Sequence, residues 1–224
     1  GYTVTSSPSS ITGTGGGPPV TVSGLSNGTP YTFTVTATNA NGTSAASSAS
    51  NSVTPASPSS FDSIATITPS SGTTSITFSS IPDTYKSLQI RTFANNIASN
   101  TSANITFNGV TTTTYDYHFL NGDSSSVSAN YFTNETKIQL QGYFQLSSTS
   151  TFAAGIIDII DYASTSKNKT LRAFYGRDAN GSERYISLNS GLWRNTSAIN
   201  SITIARATGS GFDTGTTFAL YGIK

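Results

Sequence analysis

The chain has 224 residues, of which 9% are charged and 11% aromatic, and its formal net charge is +1. Its scattered Lys and Arg residues give no electrostatic footprint for nucleic acid, and no apolar run approaches the roughly 18 residues of a membrane-spanning helix. Because it contains no cysteine, the chain has neither disulfides nor a thiolate metal site. Short clusters of Ile, Val, Phe and Tyr predict a folded chain rather than a disordered one.

Residues 1–55 predict strands separated by turns. From Tyr31 to Thr38, apolar or aromatic residues alternate strictly with threonine, which is typical of an antiparallel strand with one buried face. Further strands are predicted over YTVTSS and VTVSGL, and a last one over SASNSV that ends at Pro55.

The stretch GLSNGTPYTFTVTATNANGTSAASSASNSVTP resembles the second half of a fibronectin type III domain, from the corner before strand F through strand G. Tyr31, six residues after Leu25, lies where such sandwiches carry their corner tyrosine. A complete domain has about 90 to 100 residues. The resemblance therefore implies that residues 1–55 are a partial domain with strands C to G. We expect strands A and B to precede Gly1 in a parent protein, or another chain to take their place.

Residues 56–60 predict a short Pro/Ser linker, after which the composition changes. From residue 61 to residue 224, short β-type segments alternate with turn signals such as SSGTT, FNGV and NGDSSS, and helical spacing is absent. About ten short strands predict an antiparallel β-sandwich. A jelly roll is the arrangement we expect, and a barrel and a β-prism are the alternatives. The runs INSITIARAT and TFALYGIK, joined by GSGFDTGT, predict a hairpin that closes this domain.

The segment DANGS is similar to part of a calcium-binding loop. Asp178, Asn180 and Gly181 have the spacing of such a loop, but Gly176 and Ser187 occupy the places of the acid and the glutamate that complete it. Asn-Gly between two β-type segments is a strong hairpin signal. We therefore predict a plain turn without a metal ion.

Catalytic chemistry has few candidates in this chain. Asp158 and Asp161 lie three residues apart, so in a strand they face opposite sides and cannot share an acid–base site. His118 is the only histidine; no G-x-S-x-G nucleophile elbow accompanies it, and a zinc site needs more His or Cys residues. We therefore predict a protein that is not an enzyme and that holds no metal and no cofactor.

Aromatic residues around NGDSSS are the best candidates for a binding surface. A tyrosine joins an apolar ring to a polar tip, so beside Asn or Asp it can stack on a sugar ring and bond its hydroxyls. The only tryptophan, followed by an arginine, allows the same interpretation. The alternative is that these aromatic side chains belong to the core, and a tryptophan-to-alanine substitution would separate the two by its effect on stability. The candidate glycan-binding residues are Tyr115, Tyr117, His118, Asp123, Tyr131, Trp193 and Arg194.

Several motifs between residues 61 and 224 carry a second resemblance. They are FDSIATIT, IPDTYKSLQIR, IIDYASTSKNKTLRAFYG with DANGS, SGLWRNTSAINSITI and FALYGIK. Together they resemble a module of tailed-bacteriophage virion proteins, often from marine and cyanobacterial phages. The resemblance implies a non-enzymatic structural protein on the virion surface, in a tail fibre or other appendage, a capsid decoration or a head fibre. It also implies a homo-oligomer, a trimer above all, with contacts to other virion proteins and attachment to a host glycan.

Two other classes of function stay open at this stage. One is a secreted bacterial adhesin or the carbohydrate-binding module of a modular extracellular protein, for which binding on a glycan array would be the indication. The other is a glycosidase, which requires two facing carboxylates about 5 to 10 Å apart in a cleft.

Overall fold

The computed structural model of the chain describes residues 1–56, 60–95, 102–123, 125–142, 152–178, 184–209 and 211–224. The chain forms two compact units, Gly1–Ser59 and Ser60–Lys224. Of the predicted linker, residues 57–59 lie outside the described residues. The described residues form strands, turns and bends and contain no helix, so the all-β prediction is confirmed. Those residues form no helix that is long and apolar enough to span a membrane.

The first unit contains a single four-stranded antiparallel sheet. Its strands are β1 (Tyr2–Ser7), β2 (Thr12–Gly15), β3 (Thr32–Asn39) and β4 (Gly42–Thr43), in the order β2-β1-β3-β4. The prediction of a strand over residues 20–25 is wrong, because these residues join no sheet. Pro18 and Pro19 before them have no N–H to donate, and Gly24 takes a φ of +84° that interrupts an extended chain.

Three serines form hydrogen bonds that hold the segment after β4 against β3 in an unusual register. Ser44, Ser47 and Ser50 each donate their N–H to a β3 carbonyl and accept the N–H of that same β3 residue through their hydroxyl. Three residues of this segment therefore match two residues of β3, and only Val53, opposite Tyr31, makes an ordinary bridge. The last predicted strand of this unit is thus replaced by a serine ladder.

Tyr31 is buried immediately before β3. Its hydroxyl accepts the N–H of Ser26 at 3.1 Å, which is the type of upstream backbone bond that a tyrosine corner makes. The assignment of this unit to the fibronectin type III family stays a prediction.

The second unit is a sandwich of two antiparallel sheets that share one hydrophobic core. Its strands are β5 (Phe61–Ile67), β6 (Ser75–Phe78), β7 (Ser87–Asn95), β8 (Ala103–Phe107), β9 (Tyr115–Asp123), β10 (Val127–Glu135), β11 (Ile138–Leu140), β12 (Phe152–Ile160), β13 (Lys169–Asp178), β14 (Arg184–Trp193), β15 (Ile202–Arg206) and β16 (Thr217–Ile223). The large sheet has eight strands in the order β10-β9-β14-β13-β12-β7-β16-β5. The small sheet has four strands in the order β11-β8-β15-β6.

Eight of these strands have the connectivity of a jelly roll. Four lie in the large sheet in the order β5-β16-β7-β12, and four form the small sheet in the order β6-β15-β8-β11, as in two interlocked Greek keys. The remaining strands form two antiparallel hairpins, β9-β10 and β13-β14, that extend the large sheet beyond β12. The jelly-roll prediction is confirmed, and the added hairpins make the large sheet twice as wide as the small one.

The predicted closing hairpin is wrong. β15 pairs with β6 and β8 in the small sheet, whereas β16 pairs with β5 and β7 in the large sheet. Phe212 between them is anchored to the opposite segment by a bridge to Thr73. The connection therefore crosses from one sheet to the other. Its glycines lie in this crossover and not in a tight turn between paired strands. The predicted turn at Asn180-Gly181, between β13 and β14, lies outside the described residues.

Candidate functional site

One face of the large sheet is turned away from the small sheet, and we call it the outer face. In the middle of β14, polar side chains point into the sandwich and apolar side chains point outward, which is the reverse of the usual arrangement. Ser187 and Asn189 point into the sandwich and are buried, whereas Ile186 and Leu188 point outward and are about half exposed. An antiparallel strand with one wet face ordinarily has its apolar side chains inside, so β14 indicates an outer face that is not a simple solvent surface.

The strand register aligns large apolar side chains across the outer face. Ile156 of β12 lies opposite Phe174 of β13, Phe174 lies opposite Leu188 of β14, and Leu188 lies opposite Leu120 of β9. We call these four residues the first apolar row. They sit on adjacent strands at a spacing of about 4.8 Å, so their side chains form a continuous apolar strip.

A second apolar row lies two residues further along the strands and consists of Val127, Ile186 and Phe93. Gly122 and Gly176 flank Ile186 in register on its two sides. A Cβ at Gly122 would meet no atom within 4 Å, and at Gly176 only a backbone oxygen at 3.9 Å, so packing within this chain does not require either glycine. Glycine inside a strand often marks a place where another backbone approaches closely.

Exposed apolar side chains are concentrated on these two rows. Of the eleven exposed large hydrophobic residues in the described part of the chain, seven belong to the rows, with exposed fractions of 42 to 75%. Single exposed hydrophobic residues are normal on protein surfaces, whereas a contiguous group marks a contact site. The outer face is therefore the strongest candidate for a functional surface.

A polar row borders the first apolar row on its other side. It runs across five strands through His118, Ser190, Arg172, Asp158 and Gln89. The Nε2 group of Gln89 donates to Oδ1 of Asp158 at 2.8 Å, and the hydroxyl of Ser190 lies 3.4 Å from Nδ1 of His118. The guanidinium of Arg172 makes no hydrogen bond or ion pair with any other described residue. This row and the first apolar row line a shallow groove of about 660 Å³.

Arg91 is fixed at the other end of the outer face. Its Cζ atom lies 4.9 Å from the centre of the Phe61 ring and 4.8 Å from that of the Tyr221 ring. Its Nε group donates to Oε1 of Gln89 at 2.8 Å. Cation–π contacts and this hydrogen bond hold the guanidinium in one position. Because Arg91 lies opposite Ile156, it places an ordered positive charge at the β7 end of the first apolar row.

Three of the predicted glycan-binding residues are core residues. Trp193 is fully buried and stacks on Tyr115, with ring centres 6.1 Å apart and an interplanar angle of 13°. The hydroxyl of Tyr115 donates to the carbonyl of Val110 at 3.0 Å. Tyr117 stacks on Phe132 at 4.7 Å, and burial, with the nearby Glu135 charge, raises the pKa of Tyr117 to about 12.

The prediction of a glycan-binding role is therefore wrong for Tyr115, Tyr117 and Trp193. All three occupy inward positions of β9 or β14, where the small sheet and the neighbouring loops cover them. Their alternative interpretation as alternating core aromatics is the one that the structure supports.

The other predicted site residues lie at three separate places. His118 and Tyr131 are both exposed, and their rings lie 6.0 Å apart on β9 and the edge strand β10. Asp123 closes the β9–β10 turn, because its carboxylate accepts the N–H groups of the residues at 125 and 126 at 2.7 Å. These bonds lower the pKa of Asp123 to about 2. Arg194 pairs with Asp116 at 3.2 Å and therefore has a local structural role.

The two aspartates that the sequence offered as an acid–base pair lie at separate places in the structure. Asp158 lies on the outer face, while Asp161 lies in a turn, where its Oδ1 atom is 3.4 Å from Nζ of Lys167. Among the described residues, no group of three or more His, Cys, Asp or Glu side chains could hold a metal ion. Of the calcium-like segment, residues 179–183 lie outside the described residues. The outer face thus offers non-covalent contact through apolar rows and a hydrogen-bonding border.

Sequence reasoning missed both apolar rows. The available signal was a pair of consecutive apolar residues in one strand, such as Ile156 and Ile157, whose side chains point to opposite faces. Such a pattern indicates a strand that is covered on both faces. Among the described residues of the second unit, the small sheet covers one face of the large sheet, so the pattern points to a partner for the other face.

Comparisons with known proteins give no assignment. No protein-family model matches the chain, and no curated protein and no solved structure matches it. The case for a function therefore depends on the geometry of the outer face and on the resemblance of the sequence motifs.

Proposed function

We propose that the chain is part of a non-enzymatic structural protein on the surface of a tailed-bacteriophage virion. In this proposal the protein belongs to a tail fibre or other appendage, a head fibre or a capsid decoration. The outer face of the large sheet is the surface through which its second unit is held in the assembly. The observation that supports the proposal most is the pair of exposed apolar rows on that face.

The inverted polarity of β14 adds support for an assembly surface. The hydroxyl of Ser187 donates to Oδ1 of Asn121 at 2.7 Å, and Nδ2 of Asn189 donates to the Ser187 hydroxyl at 2.6 Å. These polar groups are satisfied inside the sandwich, so exposure of Ile186 and Leu188 is not a side effect of an unfavourable core. In such a strand the inward polar groups are hydrogen-bonded, and the outward apolar side chains are available for contact with a partner.

The energetic gain from covering the outer face is comparable with the cost of association. Complete burial of a Val, Leu, Ile or Phe side chain stabilises by about 1.5 to 3 kcal/mol relative to full exposure. Seven side chains that are about half exposed therefore offer a gross gain on the order of 5 to 10 kcal/mol. Association costs of similar size oppose this gain, so the face suits a contact that is reinforced by many copies on a particle.

The location is tested by labelling particles with an antibody raised against residues 61–224. Virions are purified from a phage lysate that contains this chain and are viewed by electron microscopy. We expect gold particles at a regular position on these virions. Labelling confined to bacterial cells or to secreted material, with unlabelled virions, would contradict the proposal and favour a bacterial adhesin.

Attachment to a host glycan is a second candidate function, and one observation favours it. Tyr131 is exposed on the edge strand, and its ring lies 6.0 Å from that of His118, so an aromatic face is open to a sugar ring. A glycan array with the unchanged protein and with Tyr131→Ala tests this role. Binding that the substitution abolishes supports it, whereas silence of both proteins leaves assembly as the only function proposed for this unit.

A further inference from the structure

We infer that the outer face is covered by the same outer face of a second copy of this chain, in a twofold pairing. The twofold axis lies midway between the two facing sheets. It runs parallel to the strands, above the boundary between β12 and β13. The inference rests on the proposal that the outer face is a contact surface, and it names the partner. It is carried by the order of side chains along the three rows.

The width of the sheet places this axis at its centre. The strands β10, β9, β14 and β13 lie on one side of the axis, and β12, β7, β16 and β5 lie on the other. Rotation about the axis places β13 of one copy opposite β12 of the other. In the same way, β14 comes opposite β7, β9 opposite β16, and β10 opposite β5. Each row therefore faces the same row of the second copy with its strand order reversed, as an isologous interface requires.

The polar row is self-complementary about this axis. Arg172 of one copy comes opposite Asp158 of the second copy, and the same pair occurs again on the other side of the axis. The guanidinium of Arg172 makes no hydrogen bond or ion pair with the described residues of its own chain, so it can form one with the second copy's carboxylate. Ser190 comes opposite Gln89 of the second copy, which pairs two hydrogen-bonding side chains.

The apolar rows are complementary about the same axis. Phe174 comes opposite Ile156 of the second copy, and Ile186 comes opposite Phe93. Leu188 comes opposite Arg91, whose charged end is engaged by its two rings, so its aliphatic stem is left for apolar contact. Small residues also meet: at the centre of the second row, a glycine on β13 comes opposite an alanine on β12. Two sheets can therefore approach to the spacing of about 10 Å that face-to-face packing needs.

A twofold axis that runs along the rows instead of along the strands is unfavourable. With such an axis on the first apolar row, the polar row of one copy would lie on the second apolar row of the other. Each strand would then face the same strand of the second copy, so Arg172 would lie against Gly176 and Asp158 against Ala154. Neither of these residues offers an opposite charge, and burial of an unpaired charge is costly. The row pattern therefore selects one of the two symmetric pairings.

The outer face is large enough for a stable pair. Eight strands at about 4.8 Å spacing and about nine residues at 3.3 Å each give a face of roughly 1,000 Å². Stable interfaces bury about 800 Å² on each partner. The three rows carry two arginines and one aspartate, Arg91, Arg172 and Asp158, so two copies have little net repulsion to overcome.

Charge reversal tests the pairing in the purified chain by sedimentation velocity over a range of concentrations. The unchanged chain is expected to form dimers. Arg172→Asp and Asp158→Arg are each expected to weaken the dimer by roughly tenfold or more, because like charges then face each other. The chain with both substitutions is expected to regain most of the lost affinity. Lys167→Asp changes a charge in a loop outside the three rows and serves as the matched control.

The outcomes separate this inference from the proposed function. Sedimentation as a monomer or a trimer, or a dimer that neither single substitution weakens, overturns the twofold pairing. Weakening by each single substitution without recovery in the double variant also overturns it, provided that circular dichroism and thermal unfolding show that all variants are folded. In each of these cases, regular labelling of virions by the antibody would still support a surface structural protein, held there by a different partner.

Discussion

Phe174 and Leu188 lie directly opposite each other on β13 and β14 and are both about half exposed, while their sequence neighbours Ala173 and Asn189 form the next pair and are buried. At this place the sheet has its larger apolar side chains on the outside. The inner side is narrow because β11, Gln141 and Gly142 pack closely there. A Cβ on Gly191 would come within 2.6 Å of the Ile138 side chain, so small and polar residues fit inside and large ones do not.

The buried amide of Asn189 is expected to be important for stability. Its Oδ1 atom accepts the N–H of Gln141 at 2.9 Å, and its Nδ2 group donates to Ser187. Asn189→Ala leaves a buried N–H without this acceptor, so we expect the free energy of unfolding to fall by about 1 to 3 kcal/mol. Urea unfolding measures the change. Ser190→Ala, one residue away on the exposed face, should change it by less than about 0.5 kcal/mol, and equal losses in the two variants would contradict this account.

Trp193 is expected to be a stability residue. It is fully buried and lies between Tyr115 and Phe107, with ring centres at 6.1 and 5.4 Å. Trp193→Ala should lower the free energy of unfolding by about 3 to 5 kcal/mol. Tyr131→Ala, on the exposed edge strand, should change it by less than about 0.5 kcal/mol. A small effect at Trp193, measured in the same denaturant series, would show that the core is not packed around this ring.

Gly191 is expected to tolerate no side chain. Gly191→Ala places a methyl group against Ile138, and overpacking of this kind costs about 1 to 3 kcal/mol of unfolding free energy. The matched control is Gly122→Ala on the neighbouring strand, where the added Cβ meets nothing within 4 Å. We expect no loss of stability there. Thermal unfolding of the two variants side by side gives the comparison, and a reversed order would mean that β11 does not pack on this part of the large sheet.

The stability that Asp123 gives to the folded chain is expected to be lost in strong acid. Hydrogen bonds from the residues at 125 and 126 lower the pKa of its carboxyl from 3.8 to about 2. A pKa that is lower in the folded state contributes stability above the unfolded value, and this contribution is lost as the pH falls through about 2. NMR titration of the carboxyl carbon should show a midpoint near 2, and Asp123→Asn should remove this pH dependence. A midpoint near 4 would mean that the bonds do not form in solution.

Much of the fold was predictable because it depends on local patterns. The alternation in Thr32–Asn39 and in the short runs after Phe61 is sufficient for strands, and about ten strands without helical spacing are sufficient for a sandwich. The closing hairpin was wrong because a Gly-rich connection between two strands is compatible with a turn and with a crossover. Only the pairing of β15 and β16 with different sheets distinguishes them.

The candidate site was less predictable because parity alone does not tell which face of a strand is inside. In β14 the alternation of Ile186 and Leu188 with Ser187 and Asn189 suggests the opposite orientation from the one found. The orientation is decided by Trp193, Tyr185 and the other inward residues of the strand, together with the polar groups of Gln141 that Ser187 and Asn189 bind. These are long-range contacts that a single sequence does not reveal.

The most direct test of a covered outer face is hydroxyl-radical footprinting of the native assembly and of the dilute purified chain, with Tyr2 of the first unit as the reference. Phe174 is 51% and Tyr2 is 42% exposed in the single chain. We predict that Phe174 is modified readily in the dilute chain and at least about tenfold more slowly in the assembly, relative to Tyr2, because a partner that buries the ring excludes water from it. An unchanged ratio between the two samples would contradict the claim that this face is a contact surface.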